Sequence, residues 1–293
     1  MSRAVKRYLR KIKLFSTSER LYIILYSVCS IILNKLPKNV ILTYDVYKKT
    51  LEHGYIIQKN GSKDLVKLEV NNVTVRVLLK RNSSDALVLK QIFLDQEYFA
   101  IISLANERNI SCNTIIDAGA NVGLTSIYFS KYFPNASIIA LEPNKNTYQR
   151  LVENIKLNNS KNIITIEEGI WSTNTFLRGD YSFRDHNDWS FSLKETNTRT
   201  NDAIKCTTLD VLIEKSSWDT VDLLKIDIEG GEDAVFNTVD EVKGWLPKVK
   251  IVAVEIHNEF NCRDRIYNIL TYYNFGIKET TEGLTIATNN NLI

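Results

Sequence analysis

Apolar residues fall into short runs separated by polar turns, and two different periods mark two kinds of segment. From Tyr44 to Lys80 the chain alternates, as in Val66-Lys-Leu-Glu-Val70 and Val73-Thr-Val-Arg-Val-Leu-Leu79. A period of two predicts half-buried antiparallel strands, with Asn71-Asn72 as the hairpin turn. Ser83-Ser84-Asp85 then predicts a helix cap, ahead of a helix carrying Val88, Ile92 and Phe93. A second helix is expected near Glu97 to Arg108.

Beyond Asn113 the pattern changes to continuous apolar runs that alternate with helical segments, as in a parallel sheet buried on both faces. The runs are Ile115-Ile116, Ile138 to Leu141, Ile163 to Glu167, Val221 to Ile226 and Lys250 to Ile256. Helices are expected near Val122 to Lys131, Asn144 to Leu157 and Arg263 to Tyr273; the second sets Tyr148, Leu151, Val152 and Ile155 on one face. Gly276-Ile-Lys and Leu284 to Thr288 read as a final antiparallel hairpin. The expectation is an α/β, Rossmann-like, mostly parallel seven-stranded sheet with helices on both faces. The expected division is a basic arm and short apolar helix (1–36), accessory strands and helices (37–110), and the α/β domain (111–293) with a substrate-side insertion at 172–206.

The first run stops at Asp117 and is followed by two of the chain's eleven glycines, Gly119 and Gly123, with Asn121 between them. Glycine at such a turn lets the backbone approach a ligand with no side chain in the way. Glu142 lies 19 positions after Gly123, at the end of the next strand. In a doubly wound sheet that is where a carboxylate accepts the hydroxyl protons of a nucleoside ribose. Asn121 and Leu124 stand where a dinucleotide fingerprint needs glycine, which argues against a pyrophosphate site. Asp117-x-Gly-x-Asn-x-Gly with Glu142 resembles instead the first motif of class I S-adenosylmethionine methyltransferases. Gly169 and Ile170, at the third strand's end, are candidates for the adenine wall; an ordinary strand-end turn is the competing reading.

Val221-Asp-Leu-Leu-Lys-Ile-Asp-Ile-Glu-Gly-Gly-Glu232 carries the second signal. Lys225, Asp227 and Glu229 alternate with apolar residues at a strand's C-terminal end, and charges there are costly to bury without a site or each other to face. Thr208-Leu-Asp210 precedes them and Val254-Glu-Ile-His257 follows. The ordered set of these motifs, with Glu142-Pro143 and the upstream Ser84-Asp85 and Gln91-x-Phe93, resembles the FkbM-type methyltransferase family from about Arg81 to Phe260. The family often has alanine where this chain has Gly231. The resemblance implies S-adenosylmethionine as cofactor, contacts to it at Asp117, Gly119, Asn121 and Glu142, and a reaction centre around Asp227. It also implies O-methylation of a sugar, glycan or polyketide-type hydroxyl.

An aliphatic hydroxyl is a weak nucleophile, so a base beside the transferred methyl is expected. Asp227, Glu229 and His257 are the candidates, with Lys225 orienting a carboxylate or lowering its pKa. A divalent metal held by Asp227, Glu229 and Glu255 suits carboxylate oxygens but is not required.

Charge then narrows the partners. Residues 1–20 hold seven Lys/Arg against Glu19 alone; setting these aside, the chain's 37 basic and 34 acidic residues become 30 against 33. A slightly acidic body argues against nucleic acid, and Asp227 is not followed by the Pro-Pro-aromatic run that holds a flipped base. The basic arm and the apolar stretch Leu21 to Leu33 suit peripheral docking on an anionic membrane face, or a helix packed on the domain with a solvated arm. That stretch is too short to span a bilayer comfortably, and the expected location is cytoplasmic. Residues 172–206 mix polar groups with Phe176, Tyr181, Phe183, Trp189 and Phe191, which suits a glycan or glycolipid acceptor; a hairpin packing its own aromatics is the competing reading. Four scattered cysteines and three histidines show no zinc framework. The competing functions are an NAD-dependent oxidoreductase on a similar sheet and a non-catalytic, membrane-associated binding protein.

Overall fold

The computed structural model describes residues 17, 20, 38–81, 83–180, 192–195, 203–281 and 283–293. The basic arm and apolar stretch therefore lie outside the described residues, as do Tyr181, Phe183, Trp189 and Phe191. The chain divides into two compact units, one up to Gln96 and one from Glu97 onward.

In the first unit a helix, α1 (Lys38–Glu52), precedes a three-stranded antiparallel sheet of β1 (Ile56–Asn60), β2 (Lys63–Val70) and β3 (Val73–Lys80). The alternating pattern is realised as expected. Val66, Leu68 and Val70 of β2, with Val75, Val77 and Leu79 of β3, are buried on one face. Asn71 and Asn72 turn the hairpin with φ of 47° and 60°, the left-handed pair that a two-residue turn requires. The next helix differs from expectation. It is α2 (Asp85–Leu89), running straight into a π-helical turn at Lys90–Leu94, and Ser84 caps it without a side-chain hydrogen bond. The carboxylate of Asp85 reaches back instead to the Lys80 N–H at 2.8 Å, so it ties helix to strand rather than closing a helix cap.

The second unit holds α3 (Phe99–Glu107), β4 (Thr114–Ala118), α4 (Leu124–Tyr132), β5 (Ser137–Leu141), α5 (Lys145–Leu157) and β6 (Ile163–Ile166). After an inserted region come α6 (Leu209–Ser216), β11 (Val221–Ile226), α7 (Glu232–Val235), α8 (Val239–Val242), β12 (Val249–Glu255), α9 (Arg263–Tyr272), β13 (Phe275–Glu279) and β14 (Leu284–Asn289). Seven strands form one sheet in the order β13-β14-β12-β11-β4-β5-β6, parallel except that β14 runs against both its neighbours. The apolar runs are continuous because the sheet is covered twice. Ile116, Leu224 and Val252 join a core with Leu212 of α6 and Ile266 of α9, while their neighbours Ile115, Leu223 and Ile251 point to the other face and are equally buried. This is the doubly wound, class I methyltransferase architecture the sequence predicts.

The described part of the insertion pairs with the strand just before it to make a second, small sheet. β7 (Gly169–Ile170), β10 (Ile204–Thr207), β8 (Thr175–Asp180) and β9 (Ser192–Glu195) lie in that order, with β10 parallel to β7 and antiparallel to β8. Among the described residues no helix is long and apolar enough to cross a membrane.

Candidate active site

In the large sheet the chain winds outward from β4 through β5 to β6, then returns to β11 on β4's other side. That reversal opens a crevice outside the carboxyl ends of β4 and β11, where ligands of such sheets bind. The sequence-predicted residues Asp117, Gly119, Glu142, Asp227 and Glu229 all sit at the ends of these strands or just beyond them.

Buried charges hold the two central strands in place. All six residues of β11 are buried, although two of them are Asp222 and Lys225. Near the strand's start, Asp222 accepts from the backbone N–H of Asn113 at 2.6 Å and Thr114 at 3.0 Å, and pairs with Lys250 at 2.7 Å. Near its end, Lys225 donates to the carbonyls of Gly119 at 2.7 Å and Ala118 at 3.3 Å. Its ammonium also lies 3.2 Å from Asp117 and 3.5 Å from Asp227. Burial alone would push Lys225 down, but the two carboxylates outweigh it and hold the pKa above the usual lysine value. Asp117 is fully buried, and its other oxygen accepts from the Ser126 hydroxyl at 2.5 Å. Lys225 and Asp117 thus shape the floor of the crevice from within it.

The glycine loop is set by the same floor. Gly119 has φ of +77°, and a Cβ placed on it would stand 1.8 Å from the Asp227 carbonyl oxygen. Its missing side chain makes room for the neighbouring strand end, whereas the sequence suggested room for a ligand. Asn121 (φ 50°) and Gly123 (φ +84°) complete the turn, and a Cβ on Gly123 would press Leu151 of α5 at 3.2 Å. Glu142 binds this loop from just past the end of β5. One oxygen accepts from the Asn121 N–H at 3.0 Å and the other from the Asn144 N–H at 2.8 Å. Burial pushes its pKa up to about 7, against those two amides. Each oxygen keeps a lone pair, so the carboxylate can take two further donors, as the vicinal hydroxyls of a ribose supply. The residues present therefore fit S-adenosylmethionine at its ribose. Ile170 packs in the apolar core, leaving its strand to offer a ligand backbone rather than side chain.

Beyond β11 and β12 the other predicted residues converge. Asp227, Glu229 and His257 each place one ligand-type atom within 4.8 Å of the others, so His257 stands in this group where the sequence suggested Glu255. The His257 side chain is buried. Its Nδ1 meets Glu232 at 3.2 Å, and its Nε2 lies 3.6 Å from Glu229. Burial would lower its pKa, but the bond to Glu232 and the surrounding carboxylates raise it to about 9. At neutral pH without a bound cation it is an imidazolium, which argues against His257 as the base. Glu255 is pushed up to about 8, first by the charge of Asp227 and then by burial. Sequence reasoning quoted Glu232 without assigning it a role. It is fully buried and accepts from the Ile228 and Gly230 N–H groups at 2.9 Å each. Its signal was a carboxylate just after a Gly-Gly turn. Tyr98 was missed altogether: it is buried, and burial, Asp227, Glu97 and Glu255 push its hydroxyl far up.

The fold and this arrangement define a class I methyltransferase. A family model, the methyltransferase FkbM domain, matches residues 117–277, and the chain belongs to that family of S-adenosylmethionine-dependent enzymes. It is 27% identical over 220 residues to methyltransferase sdnD of Sordaria araneosa, covering 65% of this chain and 82% of that one. It is also 27% identical over 164 residues to the hexuronic acid methyltransferase AglP of Haloferax volcanii, covering 56% of this chain and 64% of AglP, just under two thirds of that protein. Among solved structures, a precorrin-6y C5,15-methyltransferase from Geobacter metallireducens superposes with a TM-score of 0.38 at 15% identity, over 66% of this chain and 86% of that one.

Proposed function

We propose that this enzyme methylates a hydroxyl of a sugar, glycan or glycolipid, using S-adenosylmethionine. The observation that carries the reading is the division of the crevice into a backbone-lined side, where Glu142 meets the amides of Asn121 and Asn144, and a carboxylate-rich side at Asp227, Glu229 and Glu255. When bound, the cofactor supplies an electrophilic methyl and leaves as a neutral thioether, so no acid is needed at the leaving group. The chain's own work is positioning and proton removal. Glu142 holds the ribose, and the Gly119–Asn121 loop gives backbone contacts. Lys225 and Asp117 act as positioning residues, because their charges are spent on the loop carbonyls and on each other.

The acceptor's proton goes to the carboxylate pair Asp227 and Glu255. The charge of Asp227, with burial, raises Glu255 to about 8, so Glu255 already carries a proton near neutral pH and Asp227 is the member of the pair that takes the acceptor's. Asp227 is 27% exposed at its side chain and Glu229 24%, so both can meet an acceptor. The name of AglP supports a sugar acceptor, and a lipid-linked one would give the basic residues at 1–20 a membrane to dock on. The test uses methyl-labelled S-adenosylmethionine with a panel of neutral and acidic sugars, glycolipids and polyketide alcohols. Label on a sugar hydroxyl, lost in Asp227→Asn, is expected; label only on nitrogen, or on no sugar, would overturn the reading.

A further inference from the structure

The carboxylate-rich side of the crevice has the build of a metal site. Asp227 and Glu229 supply carboxylates from the loop after β11, and His257 supplies an imidazole from beyond β12, all within 4.8 Å. The group is not simply an acidic patch. His257 is 6% exposed, and its Nε2 faces Glu229 at 3.6 Å, longer than a hydrogen bond. The imidazole nitrogen thus stands at ion-pair distance from Glu229, with an Asp227 oxygen within 4.8 Å, a spacing that a shared cation can bridge.

A second observation lies on the far side of the ring. Nδ1 meets Glu232, which is fully buried and itself held by the Ile228 and Gly230 N–H groups. Metal-ligating histidines characteristically give their other N–H to a carboxylate, which selects the tautomer and points the free lone pair at the metal. Here that outer support is complete, and it is anchored on backbone amides that no exchange of ligand would disturb. Two carboxylates and one imidazole suit a cation that accepts both oxygen and nitrogen, which favours Mn²⁺ over Ca²⁺ or Mg²⁺.

We infer that Asp227, Glu229 and His257 bind one divalent cation of the Mn²⁺ type, with Glu232 as the residue that orients His257. The inference deepens the methyltransferase reading and rests on it for purpose: a cation there binds the acceptor hydroxyl and makes it more acidic. The binding itself is independent of turnover. Octahedral ligands at ~2.1 Å stand ~3 Å apart, so the Glu229 and His257 side chains, now 3.6 Å apart, draw together by about 0.6 Å on binding.

The test titrates the full chain, stripped with a chelator, with Mn²⁺ by electron paramagnetic resonance, and measures S-adenosylmethionine binding on the same sample. One Mn²⁺ per chain is expected. Affinity should fall at least ~10-fold in Glu229→Gln and ~10–100-fold in Glu232→Gln. Should Glu232→Gln fail to fold by circular dichroism, the partly exposed Glu229→Gln decides. No Mn²⁺ bound by folded wild type, or unchanged affinity in Glu229→Gln, overturns the site. If S-adenosylmethionine still binds in that case, the methyltransferase reading stands and the cluster is a structural ion network. Mn²⁺ bound without S-adenosylmethionine keeps the metal site and removes the reading it was meant to serve.

Discussion

Lys225 occupies a strand position where a leucine would bury more cheaply. Its side chain is almost wholly buried, and its ammonium satisfies two loop carbonyls and two carboxylates at once. A charge in such a place is costly to bury, and removing one partner of a buried pair leaves the other uncompensated. Lys225→Met should therefore lower unfolding free energy by about 3–5 kcal/mol, read from denaturant titration. Adding Asp117→Asn should return part of that loss, because the uncompensated carboxylate is gone; a double variant as unstable as the sum of the singles would refute the pairing. At this scale the sequence was legible in kind but not in direction. Alternating charges at the end of an apolar strand announced Lys225, the abrupt stop of the first apolar run announced Asp117, and the spacing from Gly123 announced Glu142. Which way each side chain points depends on the neighbouring strand. For that reason Gly119 proved to make room for the Asp227 carbonyl, and His257 proved to be held by Glu232, 25 positions away.

The start of α5 joins the fold to the site. Asn144 caps the helix, its side chain accepting from the N–H groups of Asn146 at 3.0 Å and Thr147 at 3.2 Å. The same residue's own N–H goes to Glu142, so the cap also fixes the carboxylate proposed for the ribose. Asn144→Ala should cost about 1 kcal/mol of stability through the lost cap. Because the backbone N–H remains, S-adenosylmethionine affinity should change less than threefold by calorimetry; a larger loss would mean that the side chain touches the cofactor. Elements of this length were legible because a run of four or more apolar residues, or a full helical face, outweighs local noise. The sheet of β7 to β10 was not. Its strands are two to six residues long, and β7 pairs with β10 across more than thirty positions, a pairing no local period records. The π-helical turn after α2 was hidden for a related reason, since Lys90–Leu94 keeps good helix formers while changing the hydrogen-bond step.

Over the whole molecule, three buried or half-buried groups of the second unit share one sign of displacement. Glu142 is raised from the ordinary 4.5 to about 7, Glu255 from 4.5 to about 8, and His257 from 6.5 to about 9. For each the folded state holds a proton that the unfolded chain has already released. Stability therefore falls as pH rises through each window: 4.5 to 7 for Glu142, 4.5 to 8 for Glu255, and 6.5 to 9 for His257. A displacement of one pKa unit corresponds to about 1.4 kcal/mol, so the summed slope is large enough to read by calorimetry. The thermal midpoint of the chain freed of cofactor and metal should fall steadily from pH 5 to pH 9. Glu142→Gln should flatten the lower part of that fall and His257→Gln the upper part; a midpoint that rises over the range would refute the assignment. The ligands should act on the same slope. S-adenosylmethionine, by giving ribose hydroxyls to a charged Glu142, should bind more tightly as pH climbs through about 7 and then level off. Mn²⁺ competes with the His257 proton, so its affinity should keep rising to about 9. Two ligands with different pH midpoints on one protein would separate the ribose side of the crevice from its cation side.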